Sequence, residues 1–261
     1  TARNRLHAVL HRHHLLPPLG QGELFSPELR SWWQDLPLSE IEAIQVQCDL
    51  DTLAFARAQQ ERLQAALNRL AARDERVPLL VQLPGIGVTS AMTILAAIGE
   101  IGRFPEAKHL VGYAGLGSSV HDSGQKHTTG KLTKHGRRDL RTVMVEAAHH
   151  AARHQAHWRE QHRRLAARIG SQKAYVAVAR KLLVAVWHVL SRRCVDRFGT
   201  PDQIAATFFA HAYRLGIANL PDGLSARQYV RRMLDQLGIG HELTRIRWGS
   251  KWVTIPPSAE V

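Results

Sequence analysis

The sequence predicts a mainly α-helical protein, and three observations carry that expectation. Its β-branched clusters are short, Ala and Leu dominate, and apolar residues recur at spacings of three and four between Gly and Pro breaks. Residues 1–16 read as one helix, with Leu6, Val9, Leu10 and His13 on a face, stopped by Pro17-Pro18. Residues 17–39 are irregular, broken by Gly20, Gly22, Pro27 and Pro37. Ser39 stands three residues before Glu42, a capping-box spacing that starts a helix running to about Ala72. Within it Leu53, Ala56, Gln60, Leu63, Leu67 and Leu70 form a short seam. Both a coiled-coil contact and a single amphipathic helix against its own core satisfy that seam. Leu83-Pro84-Gly85-Ile86-Gly87 reads as a tight turn before a small-residue apolar helix ending at Ile98-Gly99. A short helix over 105–116 ends at Gly115, and 117–136 reads as a loop. A long helix follows from Arg137 to Ile169, ended by Gly170, and another spans Lys173 to Arg197. The remainder holds two short helices, 202–215 and 225–237, and a small hairpin around Gly249. No internal repeat is visible.

The 261 residues suffice for one large or two modest domains with a buried core. Lys and Arg number 35 against 22 Asp and Glu, a formal charge of +13, which points to a polyanion, nucleic acid first and an anionic membrane surface second. A hydrophobic share of 44% excludes a wholly disordered basic tail. Two cysteines, Cys48 and Cys194, exclude a disulfide scaffold or a Cys-rich zinc module and fit a reducing compartment. No apolar run approaches about 18 residues, so no membrane span is expected. The basic N-terminus lacks the pattern of a secretory signal, and the absent initiator Met predicts a chain processed or cut from something longer.

The charge is concentrated. Residues 121–170 carry eleven Lys and Arg against four acids, a net +7, with eight of the 16 His. Such clustering favours phosphate contact through counterion release and is unfavourable to itself without an anion. A solvated helix face is the alternative, but the charge is local and continues into a polar loop, which favours nucleic acid. The Pro84-Gly85-Ile86-Gly87 turn resembles a helix-hairpin-helix element, in which Gly85 and Gly87 let the backbone approach a phosphate. An ordinary helix connection fits it equally. It is not a dinucleotide fingerprint, because no strand precedes it and Ser90 takes the third glycine's place; the stretch from Gly124 to Lys131 likewise misses the spacing of a phosphate loop. His150, His154 and His157 share a helical face but lack an acid or Cys at matching spacing, so no metal site is expected. Ser123, in Ser123-Gly124-Gln125-Lys126, can present a hydroxyl to an electrophile if a base or cation activates it. Lys126, Lys131, Lys134, Arg137, Arg138 and Arg141 can neutralise a phosphodiester and its transition state. A loop serine that only forms a turn is the alternative.

A resemblance adds to this reading. The ordered motifs Leu83-Pro84-Gly85-Ile86-Gly87, Ile98-Gly99-Glu100-Ile101-Gly102-Arg103-Phe104, Tyr113-Ala114-Gly115-Leu116, Ser123-Gly124-Gln125-Lys126 and Gly130-Lys131-Leu132-Thr133-Lys134-His135-Gly136-Arg137-Arg138-Asp139-Leu140-Arg141 resemble the C-terminal domain of the IS110/IS116/IS902 insertion-sequence transposases. The resemblance covers roughly residues 80–170. More weakly, residues 1–10 resemble the end of that family's RuvC-like domain and residues 39–75 its helical linker. It implies a DNA recombinase that cuts and rejoins strands, with Ser123 at the position of a serine thought to join covalently to DNA phosphate. It also implies DNA as partner, a structured guide RNA in some members, a homo-oligomer, no membrane, and a cytoplasmic, DNA-associated location. Rejoining then needs no nucleotide cofactor. Mg²⁺ is implied only for the acidic RuvC-like domain, which is expected before residue 1; Asp49, Asp51 and Asp74 lie on the linker and do not replace it. Asp122 precedes Ser123 where the family pattern often has a second Ser.

The expected organisation is therefore 1–38, the truncated end of a RuvC-like domain and connector; 39–75, a helical linker; 76–199, a DNA-engaging transposase domain; and 200–261, a small mixed tail. Two rivals stand beside it: a helix-hairpin-helix module that binds without chemistry, and an RNA-binding or oligomerisation remnant.

Overall fold

The computed structural model describes residues 1–18, 23–123, 126–132 and 135–258, with the backbone alone over 118–123 and 126–132. It is mainly α-helical and divides into two compact units, Thr1–Ala66 and Leu67–Val261.

The first unit contains α1 (Ala2–Arg12), a 3-10 turn at Pro27–Leu29, α2 (Arg30–Gln34) and most of α3 (Glu40–Ala71). Leu6, Val9 and Leu10 recur on one side of α1 and are buried with Leu29, Trp33, Val46 and Leu50. The Trp33 indole N–H donates to Leu24 O at 2.9 Å, so the large ring is buried without an unmet donor. Ser39 and Glu42 form the anticipated cap: the Glu42 N–H donates to Ser39 Oγ, and the hydroxyl donates to the Glu42 carboxylate at 3.0 Å. Hydrogen bonds from His13 and Ser39 hold the Glu42 carboxyl down to about 2. In the seam on α3, Leu63 and Leu70 are exposed, whereas Leu53 packs on the first unit's core.

The second unit contains α4 (Arg76–Val81), α5 (Val88–Ile98), α6 (Ala107–Tyr113), β1 (Ser118–Ser123), β2 (Lys126–Leu132), α7 (Arg138–His154), α8 (Ala156–Ile169), α9 (Ser171–Arg192), α10 (Pro201–Leu215), α11 (Ala226–Gln236), β3 (Arg245–Trp248) and β4 (Lys251–Thr254). At its centre lies α9, which packs against α4, α6, α7 and α8. Ala174, Val178, Leu182 and Val186 form its buried stripe at four-residue spacing. It is also the one described helix long and apolar enough to cross a membrane, although that stripe belongs to the core. Two antiparallel hairpins, β1–β2 and β3–β4, are the only sheets among the described residues.

Three expectations change. The helix anticipated over 137–169 breaks at Gln155, whose φ of −118° and ψ of 130° are extended; its side-chain amide donates to Phe198 O at 3.1 Å. The segment 117–136, expected to be a loop, contains the hairpin β1–β2. Its sequence carries one apolar residue, Val120, before Leu132, so both faces are polar and no apolar alternation announces the strands. Two short helices were not anticipated: α2, within the stretch 17–39 expected to be irregular, and α4, at whose entry the Asp74 carboxylate accepts from the Arg76 N–H at 2.9 Å.

Candidate nucleic-acid interface

The region around Ser123 is organised by α6 and α7. After Tyr113, Gly115 takes φ +67° and ends α6, and Leu116 is buried. The chain leaves as β1, returns as β2, and docks again where it left. The Arg137 N–H donates to Tyr113 O at 2.9 Å, and Arg141 Nη1 donates to Ala114 O at 3.1 Å. Gly136 makes this junction: a Cβ there would lie 2.4 Å from Tyr113 O and 2.7 Å from Gly115 N. Both ends of the hairpin are thus fixed at one place.

The register pairs Val120 with Thr129, His121 with Thr128, Asp122 with His127 and Ser123 with Lys126. Ser123 is therefore the last residue of a strand, which corrects the expectation of a pliant loop. Directly opposed strand residues have Cα atoms about 4.5–5.5 Å apart, so the positions of Ser123 and Lys126 are neighbours. Five steps at about 3.3 Å put Ser123 roughly 17 Å along the strand from Ser118. Lys131 precedes Leu132 near the base. Lys134 and residues 124–125 lie outside the described residues, as do the side chains of Ser123, Lys126 and Lys131.

Arg137, Arg138 and Arg141 gather at the start of α7, at the base of the hairpin. Arg137 grips Asp139 through two bonds, Nε to Oδ1 at 3.0 Å and Nη2 to Oδ2 at 2.7 Å. Those bonds, with a further one from the Leu140 N–H, hold the Asp139 carboxyl down to about 2. Arg138 is exposed and has no acidic partner among the described residues.

The turn at Gly85 meets α7 elsewhere. Gly85 has φ +80°, and a Cβ there would lie 2.4 Å from Ala147 O. Ala147 is about 14 Å along α7 from Arg138, at 1.5 Å per residue. The close approach that Gly85 permits is to the backbone of α7. Gly87 differs: it precedes the first turn of α5 with φ −95°, and the nearest atom to a Cβ would be an Arg214 guanidinium nitrogen at 3.8 Å. The place of a Gly87 Cβ, unlike that of a Gly85 Cβ, is free of backbone contact.

Several histidines of the basic segment are packed. His149 and His162 stack on Tyr175 with ring centroids 3.6 and 4.0 Å away. His150 and His154 lie 4.4 Å apart, but His157, beyond the Gln155 break, stacks on Phe198 instead. Among the described residues no three His, Cys, Asp or Glu side chains converge as a metal set. The three linker aspartates named above each have an arginine: Asp49 with Arg5, Asp51 with Arg30 and Asp74 with Arg76. They do not fit a Mg²⁺ centre.

Sequence reasoning missed a cleft of about 550 Å³ between α8, α9 and the turn after it, lined by His157, His188, Lys181, Arg192 and Arg197. Burial, with the neighbouring Lys181 and Arg197, lowers the His157 pKa, and burial raises that of Asp196. Nothing in the local sequence signals this gathering, because α9 contributes its cations from the polar side of an otherwise apolar helix.

Residues 77–163, from α4 into α8 and including the hairpin, match the Transposase IS116/IS110/IS902 family. The transposase for insertion sequence element IS1111A of Coxiella burnetii is 28% identical over 137 residues, 51% of this chain and 38% of that protein. The insertion element IS110 uncharacterized 43.6 kDa protein of Streptomyces coelicolor is 32% identical over 97 residues, 37% of this chain and 24% of that one. A pilin gene-inverting protein of Moraxella bovis is 37% identical over 76 residues, 29% of this chain and 24% of that protein. The matched part of the chain thus spans less than half the length of each relative. Residues 77–163, the stretch that builds the clamped hairpin and the arginines at its base, are thus similar to the IS116/IS110/IS902 transposases.

Proposed function

We propose that this chain is the DNA-engaging part of a transposase that cuts and rejoins strands to mobilise an insertion sequence, with Ser123 as nucleophile. The supporting observation is the hairpin itself: its register puts Ser123 opposite Lys126, and its two ends are clamped beside Arg137, Arg138 and Arg141, all within the matched segment. In the step envisaged, Ser123 Oγ attacks a backbone phosphorus and one phosphorus–oxygen bond to a sugar breaks. The serine proton leaves, the departing sugar oxygen gains a proton, and a phosphoserine ester holds the strand. That ester retains the phosphodiester's energy, so reversal by a new sugar hydroxyl needs no nucleotide. Lys126, Lys131, Lys134 and the three arginines neutralise the phosphate, with most effect on the charge that develops in the transition state. Gly87 offers backbone amides at the start of α5. A structured guide RNA and further copies of the chain belong to the same proposal by family likeness.

The test is covalent trapping. Labelled duplex with a scissile-strand trap is incubated with the chain, alone and with a full-length family member added, and resolved on a denaturing gel. A protein–DNA adduct that Ser123→Ala abolishes is expected. DNA binding with no adduct in either mixture replaces the proposal with a binding module that lacks chemistry.

A further inference from the structure

The second hairpin lies outside the segment that matches the family, and its exposed face is chemically unusual. Strands β3 and β4 pair Arg245 with Thr254, Ile246 with Val253, Arg247 with Trp252 and Trp248 with Lys251. Alternation puts Ile246 on the inner face, where it is fully buried, and Ile255 follows it into the core. The Ile255 N–H donates to Thr244 O at 2.9 Å, and Trp248 meets Phe209 edge-on at 5.2 Å. The ribbon is thus held firmly against α10. Its outer face presents Arg245, Arg247 and Trp252, while Lys251, paired with Trp248, lies on the other side of the ribbon at its exposed end. Trp252 is 57% exposed and Trp248 43%, an exposure of large rings that needs a reason in a chain whose other four tryptophans are buried or partly so. The Arg245 guanidinium lies 4.5 Å from the Trp252 ring centroid. No acid stands between Leu243 and Ile255, and none of the three cations is in an ion pair among the described residues.

We propose that the β3–β4 ribbon is a platform for unpaired DNA, on which one base stacks against Trp252 while Arg245 and Arg247, on the same face, hold the flanking phosphates. The occupant follows from complementarity. Uncompensated cations favour a polyanion, and an open indole with an arginine over it favours a flat, unstacked base. A duplex hides its base faces and offers only the phosphates. Choosing DNA as the source of that strand rests on the function proposed above, in which strands are opened and exchanged; the stacking itself does not depend on Ser123.

Binding of labelled oligo(dT) of about 12 nucleotides is measured by anisotropy with the full chain, against a hairpin duplex of similar length and oligo(U). Base–aromatic stacking of about 1–3 kcal/mol predicts that Trp252→Ala and Trp252→Leu each weaken oligo(dT) roughly five- to hundredfold. Trp252→Phe stays within a few-fold, duplex affinity is unchanged in all three, and Ser123→Ala binds oligo(dT) like the native chain. Arg245→Ala/Arg247→Ala weakens oligo(dT) and flattens its salt dependence. Thermal unfolding of each variant matches the native chain, since the ring is mostly exposed. Equal affinity of the Ala, Leu and Phe variants overturns the platform, as does duplex competing as well as oligo(dT). Oligo(U) binding more than tenfold tighter overturns the choice of DNA. Failure of the trapping experiment leaves each of these outcomes readable.

Discussion

Gly85 and Gly87 sit two residues apart in one turn, yet the structure gives them opposite sensitivities. Gly85→Ala must place an L-residue at φ +80°, at a cost of about 1–2 kcal/mol. Its Cβ must also displace the Ala147 carbonyl, 2.4 Å away in the middle of α7, and such overpacking costs about 1–3 kcal/mol. The reduced freedom of the unfolded chain returns about 0.4–1 kcal/mol. The net expectation is a loss of about 2–4 kcal/mol, a large share of a domain stability of about 5–15 kcal/mol. Gly87→Ala meets nothing closer than 3.8 Å at φ −95° and exchanges a slightly better helix cap for the same entropic gain, so it stays within about 1 kcal/mol of the native chain. Urea unfolding of the three proteins, comparing midpoints and slopes, reads both numbers. If Gly87 alone meets phosphate, Gly87→Ala also weakens duplex binding while its midpoint holds. A Gly85→Ala protein within 1 kcal/mol of the native chain, or a Gly87→Ala protein as unstable as Gly85→Ala is expected to be, refutes the packing account of the turn.

His211 is buried with an unpartnered Nε2, and burial, aided by Arg214, lowers its pKa from 6.5 to about 4. The unfolded chain therefore binds a proton between those values that the folded chain refuses, and stability falls as pH drops from 6.5 to 4, by up to about 3 kcal/mol. His211→Leu should flatten that part of a curve of unfolding midpoint against pH; an unchanged slope refutes the assignment. Gly136→Ala, with its Cβ 2.4 Å from Tyr113 O, should cost about 1–3 kcal/mol by thermal melting, whereas Gly170→Ala meets no atom within 4 Å and pays only for its φ of +85°. Arg138→Ala should reduce the slope of log affinity for duplex against log salt by about 0.9, and an unchanged slope removes Arg138 from the phosphate contacts.

The parts of this fold that were legible in the sequence are those fixed by local chemistry. Ser39 and Glu42 cap α3, Gly170 ends α8, and the Trp248-Gly249-Ser250-Lys251 stretch turns between β3 and β4, Gly249 at φ +59°. What escaped depends on partners remote in sequence. Gln155 interrupts a helical pattern without Pro or Gly, and its amide meets Phe198, 43 positions away. Glycine at 85 announces a close approach but not its object, which is α7. Charge counting put His149 and His162 in a polyanion-binding set, whereas both lie flat on Tyr175. The hairpin around Ser123 was invisible because strands polar on both sides lack a period-2 hydrophobic signal. Ser123 itself stood out through the order of the motifs around it more than through its own chemistry.

The junction at Tyr113, Gly115, Gly136 and Arg137 has a geometric consequence. Since β1 departs and β2 arrives at the same few atoms, the ribbon is mounted like a cantilever on a single bracket. The bracket does not register how far the arm reaches. The contacts that close the junction, Arg137 N–H to Tyr113 O and Arg141 Nη1 to Ala114 O, use no strand residue, so pairs of residues added to β1 and β2 are expected to leave it unchanged.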